Sequence, residues 1–371
     1  MDAPIRITQP IRGDVVNRHD SYDPKGMLLG VFGEATEGVG VTVNGVDAER
    51  EGGLFRCKVP LTDLSSEIVA ELADGSGRDA ITVLWDRTDQ KRYRFSLDDN
   101  VLFLSDIAKE PGSFASLFDH WYLGFWRKMN REYGTKVHVN IYYQECYGVL
   151  PKGQDAWFNL SRFPDKYKDE WQANADWLRL TFHALEDKPD RIYEAATYDE
   201  MARDYEMVTD EIRRFAGEEA LSRFTTVHWA EAPIEACRAL RDRGVEGLLG
   251  LFATNAPDSS NTRYYLSKEM GQHIAQRDAW KDLDEDIVFA SCDAVVNGIA
   301  LGQIGPHLDD VEANPHSAEL LELLIHEQYF REELPHHLPD VFERVETSIK
   351  WAHERGYEPV FWQEGLLDAL K

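Results

Sequence analysis

From Tyr93 onward the chain repeats one alternation: a short run rich in β-branched and aromatic residues, then a stretch of helical periodicity. Seven such runs occur, at 93–98 (YRFSLD), 136–143 (KVHVNIYY), 177–183 (WLRLTFH), 224–229 (FTTVHW), 247–253 (GLLGLFA), 286–293 (DIVFASCD) and 322–330 (ELLIHEQYF). Strands joined by crossovers of a dozen or more residues run parallel, so this order calls for a parallel sheet covered by helices. The helical stretches carry their own stops and starts. ASLFDHWYLGFWRKMNREYG and YDEMARDYEMVTDEIRRFAG each end on glycine, and APIEACRALRDRG has proline near its first turn. LPDVFERVETSIKWAHERG forms a last helix before PVFWQEG. The fold class expected for residues 91–371 is α/β, a deformed seven-stranded (β/α) barrel. Residues 254–285 read as an irregular stretch able to fold over a rim.

Residues 1–90 have a different texture. GMLLGVFG, GVTVNGV, GLFRCKVPL, SEIVAEL and DAITVLWD are strand-length runs separated by VNG, EREGG and ADGSG turns. That spacing predicts an N-terminal β-sandwich domain. VTVNG followed by GLFRCKVPL and an ADGSG turn resembles the bacterial Ig-like modules attached to carbohydrate-active enzymes. The resemblance implies the fold; the module itself reads as a spacer or lid with no ligand of its own.

Charge and cysteine content exclude several classes of partner. A formal charge of −27 over 371 residues argues against nucleic acid and against an anionic membrane surface. The acid is spread along the chain, as on a solvated surface. Cys57, Cys146, Cys237 and Cys292 are far apart with no CxxC spacing, which suggests free buried thiols in a reducing compartment. MDAPIRITQP lacks a signal-peptide pattern and no run is long enough to span a membrane, so the expected location is cytoplasmic. A homo-oligomer is compatible with all of this.

The faces of the strands point to a site. Alternation places Arg94, Ser96 and Asp98 opposite Tyr93, Phe95 and Leu97, and His138, Asn140 and Tyr142 opposite Val137, Val139 and Ile141. Arg179, Thr181 and His183 oppose Leu178, Leu180 and Phe182, while Thr226 and His228 oppose Thr225, Val227 and Trp229. With apolar rows under helices, the polar rows face the interior. A packed barrel interior favours Val, Ile and Leu, so polar rows there imply a solvated or ligand-filled centre. Buried charges must meet one another, a metal or a substrate.

Three of the 12 histidines end strand runs: His183, His228 and His326. Asp98 and Asp99 end a fourth. Adjacent carboxylates can divide labour, one holding a cation while the other takes a proton from water; equally, they can cap the following helix. In FHALEDKPDR, Glu186 and Asp187 follow His183 at the third and fourth positions. His228, Trp229 and Glu231 end the fourth run, where an aromatic could seat a sugar ring; a core tryptophan beside a backbone-bonded histidine is the structural alternative. His326 stands beside Glu327 and Gln328, while His336 and His337 read as surface residues. There is no GxGxxG, Walker loop, GxSxG or HExxH.

At these residues the chain resembles the polysaccharide deacetylase (NodB-homology) superfamily, in YRFSLDDN, KVHVNIYYQ, FPDKYKDEW, DWLRLTFHA, TTVHWAEA and HEQYF. The resemblance spans residues from about 90 to 371. It implies removal of acetyl groups from sugars with a divalent metal, usually zinc. By resemblance Asp98 is the base, Asp99 a metal ligand, His183 the first histidine ligand and His326 the general acid. Asp187 stands where the family has its second histidine, so His228 or Asp187 would complete the set. The leading expectation is a metal-dependent hydrolase of a small carbohydrate. Asp99, His183 and His228 hold the metal, Asp98, His326 and Glu231 are catalytic, and Asn140, Tyr142, Arg179, Trp229 and Glu327 bind substrate. Glycosidic cleavage, a sugar-acid lyase or isomerase, and a noncatalytic carbohydrate-binding protein are the alternatives.

Overall fold

The structure, a computed structural model, describes residues 3–110, 112–145, 158–252 and 263–370. Before Tyr93 the chain forms two sheets. One has the order Ile5–Gln9, Met27–Ala35, Leu54–Leu61, Glu49–Glu51; the other runs Val15–Val16, Arg78–Trp85, Ser65–Leu72, Val41–Val43, Val46–Asp47. All pairings are antiparallel except that of Val15–Val16 with Arg78–Trp85. Strict alternation along LFRCKVPL buries Phe55, Cys57, Val59 and Leu61. They join Val43, Ile68 and Val83 of the other sheet in one apolar cluster. The VNG signal closes its hairpin with Asn44 and Gly45 both left-handed, at φ 49° and 78°.

After Tyr93 the strands are parallel, as helical crossovers require. A six-stranded sheet has the order Leu178–Ala184, Val137–Tyr142, Arg92–Asn100, Leu320–His326, Ala294–Val295, with Glu358–Pro359 also pairing Arg92–Asn100. A four-stranded sheet runs Phe224–Thr225, Gly247–Gly250, Ile287–Ser291, Ala279–Asp282, the last antiparallel. Among the described residues the ladders do not close into a barrel. Between Leu178–Ala184 and the second sheet, a single bridge joins Leu180 to Leu221. What the structure shows is therefore a mixed α/β architecture of several sheets.

Each of the seven runs contains a strand, but several are shorter than the sequence suggests, GLLGLFA being extended only at Gly247–Gly250 and DIVFASCD only at Ile287–Ser291. FTTVHW is extended only at Phe224–Thr225, and His228–Ala230 is a 3-10 turn. Likewise the last strand stops at His326, and Glu327–Phe330 is another 3-10 turn. The stretch read as irregular holds a helix, Lys268–Ile274, and the strand Ala279–Asp282; its residues 254–262 lie outside the described ones.

The apolar strand rows pack under helices. Phe95, Val139 and Phe182 share a cluster with Trp126 and Met129 of helix Trp121–Tyr133 and with Tyr205 of helix Tyr198–Phe215. The latter helix begins with a capping box of Thr197 and Glu200 and buries Met201, Tyr205, Val208, Ile212 and Phe215 along one stripe. The two parts of the chain meet along a polar seam, with His273 to Asp14 at 2.5 Å, His19 to Glu319 at 2.8 Å and Arg12 to Asp284 at 2.7 Å. Cys57, Cys237 and Cys292 are free and buried, and Cys146 lies outside the described residues. Among the described residues no helix is long and apolar enough to cross a membrane.

Candidate metal centre

A regular strand cannot turn two consecutive side chains to one face, yet Asp98 and Asp99 both line one cleft. The backbone resolves this with a bulge. Leu97 is paired with Val139 and Asn100 with Ile141, so three steps on one strand oppose two on the other. Asp99 takes up the surplus at φ 60°, a conformation costly for a residue with a Cβ and concentrated at functional sites. His183 arises similarly: Ile141 pairs with Phe182 and Tyr142 with Ala184, leaving His183 as the extra residue. His228 enters from the 3-10 turn, followed by Trp229 and Ala230 at φ 65° and 49°. Asp98 lies directly opposite His326 in the ladder.

Asp99, His183 and His228 converge, all three buried. His183 Nε2 is 3.0 Å from Asp99 Oδ1, His228 Nδ1 is 3.3 Å from the same oxygen, and the two nitrogens are 3.2 Å apart. Tetrahedral ligands at the usual zinc distances of about 2.0–2.1 Å stand about 3.3 Å from one another. The trio therefore already has the edge lengths of a tetrahedral face, and its two nitrogens and one oxygen suit zinc. His183 Nδ1 lies 2.5 Å from the Thr226 carbonyl, which leaves Nε2 to face the centre. The Tyr142 hydroxyl donates to Asp99 Oδ1 and lies 2.9 Å from His228 Nδ1. Gln328 donates to Asp99 Oδ2 at 2.7 Å.

The electrostatics follow from this crowding. Burial alone would raise the Asp99 carboxyl, but the hydrogen bonds from His183 and His228 outweigh it and hold the group well below the usual carboxylate range. At His183 burial works against the imidazolium. The bond to Asp99, with the charges of Asp98 and Asp99, outweighs that and raises its proton affinity. Burial and repulsion from Asp99 push Asp187 upward. The cleft, about 370 Å³, is lined by four carboxylates (Asp98, Asp99, Asp187, Asp190) against one lysine, Lys188. Such a surplus of negative charge attracts a cation and disfavours an anionic ligand.

Asp98 accepts from Ser96 at 3.0 Å and from Asn140, both at Oδ1; among the described residues none meets Oδ2. His326 lines the same cleft, with Nδ1 2.9 Å from Asn297 Oδ1. Trp229 stands at the mouth, 40% exposed, with the Arg191 guanidinium 5.6 Å from its ring. Asn140 is fully buried behind Asp98 rather than in the cleft.

Five expected site residues do not line the cleft: Asn140 and Tyr142, which hold Asp98 and Asp99 from behind, and Arg179, Glu231 and Glu327. Arg179 points to the opposite end, donating to Ala175 O at 3.0 Å and Glu364 at 3.0 Å. Glu231 is buried and accepts from Arg191 at 3.1 Å. Glu327 receives the backbone N–H groups of Val101, Leu102 and Phe103 at 2.7–2.9 Å and pairs with Arg331 at 2.8 Å. Its carboxylate thus caps the helix Leu102–Lys109, the role the sequence had offered for Asp98 and Asp99. Conversely, Gln328, Asn297 and Tyr329 escaped sequence reasoning. So did His336, which is exposed as expected but also lines the cleft. Only the HEQYF motif hinted at Gln328, as a polar side chain one step beyond a strand end.

No family model matches the chain, and no curated protein matches it. Among solved structures, the M4 domain of titin is 18% identical over 24% of this chain and 99% of its own, with a TM-score of 0.16. A candidate alpha-galactosidase from Bacteroides fragilis is 9% identical over 96% of this chain and 79% of its own, TM-score 0.27. A candidate alpha amylase from Salmonella typhimurium is 11% identical over 92% and 79%, TM-score 0.29. Likenesses at these scores bear on neither the function nor the detailed fold.

Proposed function

We propose that this chain is a metal-dependent hydrolase that removes an acyl group from a small, uncharged carbohydrate. The observation that carries the reading is the spacing of Asp99 Oδ1, His183 Nε2 and His228 Nδ1, each 3.0–3.3 Å from the others, in a cleft that also holds Asp98 and His326. Within this reading the strands of the two parallel sheets follow one another as a deformed seven-stranded barrel with the cleft at its rim, and the N-terminal sheets are an Ig-like sandwich.

Asp99, His183 and His228 would hold the cation, with zinc the best match to two imidazoles and one carboxylate. When bound, a divalent metal polarises an acyl oxygen and brings the acidity of water near neutrality. The remaining chemistry belongs to the chain. Asp98 takes the proton of the attacking water at Oδ2, while Ser96 and Asn140 hold Oδ1 and fix its direction. His326 returns a proton to the departing amine or alkoxide at Nε2, its other nitrogen being held by Asn297. Trp229 offers an apolar face to a sugar ring at the mouth. The acidic lining and net charge of −27 favour a neutral sugar over a polyanion, and free buried thiols favour a reducing, cytoplasmic setting.

The test is a panel of N- and O-acetylated sugars and aryl glycosides, assayed with added Zn²⁺, Co²⁺ or Mn²⁺ and again after chelation. Acetate release that disappears on chelation and returns with metal supports the proposal. Release of the aryl alcohol instead would replace acyl transfer by glycosidic cleavage. Full turnover in the chelated protein would remove the metal from the mechanism.

A further inference from the structure

The two imidazoles of the candidate centre differ in how their outer nitrogens are held. A metal-ligating histidine nearly always donates its second N–H to a carboxylate, a carbonyl or water, which fixes the ring and strengthens it as a ligand. His183 meets that need through the Thr226 carbonyl at 2.5 Å. His228 does not: its Nε2 is buried with no hydrogen-bond partner, although the residue is only 6% exposed. The carboxylate facing that nitrogen is Asp187, whose Oδ1 is 3.8 Å away. Its other oxygen is 3.5 Å from Lys188 Nζ.

Asp187 cannot join the trio from this side, because it faces the opposite edge of the His228 ring from the one turned to Asp99 and His183. A gap of 3.8 Å is about 1 Å longer than a direct hydrogen bond. A small rotation of the Asp187 side chain, half-buried in the segment after the strand Leu178–Ala184, closes it.

We infer that Asp187 is a positioning residue that accepts the Nε2–H of His228 and orients its Nδ1 for the cation, rather than a ligand itself. This rests on the metal reading above. It explains how a chain with aspartate four residues after His183 keeps a working centre: the second imidazole comes from His228, and the aspartate supports that imidazole from behind. The carboxylate also adds a negative charge one ring away from the cation, which raises affinity without taking up a coordination position.

Co²⁺ binding to the full chain tests this through visible absorbance and competition with a chelator, without reference to turnover. If the native protein binds no Co²⁺, both the metal reading and this inference fall. With the native protein binding one ion, Asp187→Asn and Asp187→Ala are expected to raise the dissociation constant by about 10–100-fold. Stoichiometry and the shape of the spectrum should stay unchanged, and Asp187→Glu should recover part of the loss. Equal constants across the series would overturn the positioning role while leaving the metal reading intact. Complete loss of the Co²⁺ spectrum in Asp187→Asn would overturn it too, by making Asp187 a ligand. Thermal unfolding of the metal-free variants separates these outcomes from misfolding, since the inference expects their midpoints to match the native protein.

Discussion

The two ends of the parallel strands carry polar residues of the same kinds and use them in opposite ways. At the lower end, Arg94 and Glu322 form a two-point ion pair with both side chains fully buried. Trp362 donates to the same glutamate at 2.6 Å. His138 receives Arg94 on one nitrogen, meets Ser222 at 3.0 Å on the other, and stacks on Phe361 with ring centres 4.8 Å apart. Burial, then the charges of Arg94 and Arg179, press His138 toward its neutral form. Every charge there has its counter-charge. At the rim, two nitrogens and a carboxylate oxygen face one another at 3.0–3.3 Å, carboxylates outnumber cations, and the His228 Nε2 is unsatisfied. Saturation marks the lower cluster as structural; shared, unsaturated donors mark the rim as built for something that arrives from outside.

The largest effects should separate these ends. Asp99→Ala at the rim is expected to lower turnover by at least about a thousandfold, because a metal-activated water is worth several kcal/mol. Its stability should fall by only about 1–3 kcal/mol, the cost of leaving the Tyr142 hydroxyl and the Gln328 amide without their acceptor. Glu322→Gln at the lower end should do the reverse. Leaving Arg94 charged and buried without its partner costs about 3–5 kcal/mol of stability by chemical denaturation, with metal content per folded chain unchanged. If Glu322→Gln loses turnover per folded chain as Asp99→Ala does, the division between the ends fails.

A third variant distinguishes titration in the seam from titration at the rim. Asp278, at the seam with the N-terminal sheets, bonds Leu320 N at 2.9 Å and Asn17 at 3.3 Å. Burial raises its carboxyl from 3.8 to about 7. The folded state thus holds the proton more tightly than the unfolded one. This contribution is complete below about pH 4 and is lost as pH rises through 7, by at most about 4 kcal/mol. Unfolding measured from pH 4 to 8 should show that decline, and Asp278→Asn should flatten it without touching metal binding. The smallest effect is expected for Arg179→Ala. Its ion pair is with a partly exposed glutamate and its guanidinium lies 4.2 Å from the centre of the Phe361 ring at the lower end, so stability should fall by about 0.5–1 kcal/mol and turnover should hold. A large fall in turnover would return Arg179 to the site.

Much of this was legible in the sequence, and the misreadings have physical reasons. Alternation put Asp98, Asn140 and His183 on the inner face, where they lie. It could not separate the two ends, although the spacing carried that information. Arg94 and Asp98, like Arg179 and His183, are four residues apart on a strand, about 13 Å. Asp99 was harder, because strict alternation sends it to the apolar side, and only the bulge and its left-handed backbone bring it in. Glu327 misled because a carboxylate beside a strand-end histidine reads as chemistry, whereas its partners are backbone N–H groups some 225 residues away in sequence. Such non-local capping leaves no local pattern. The same holds for Gln328 and Asn297, which matter through what they touch.

The most direct measurement is calorimetric titration of Zn²⁺ into the chelator-treated full chain, alongside Asp99→Ala, His183→Ala and His228→Ala. The rim reading predicts one tight site in the native protein, with affinity collapsing in each of the three variants. No binding in the native protein, or a site that survives all three substitutions, would contradict it.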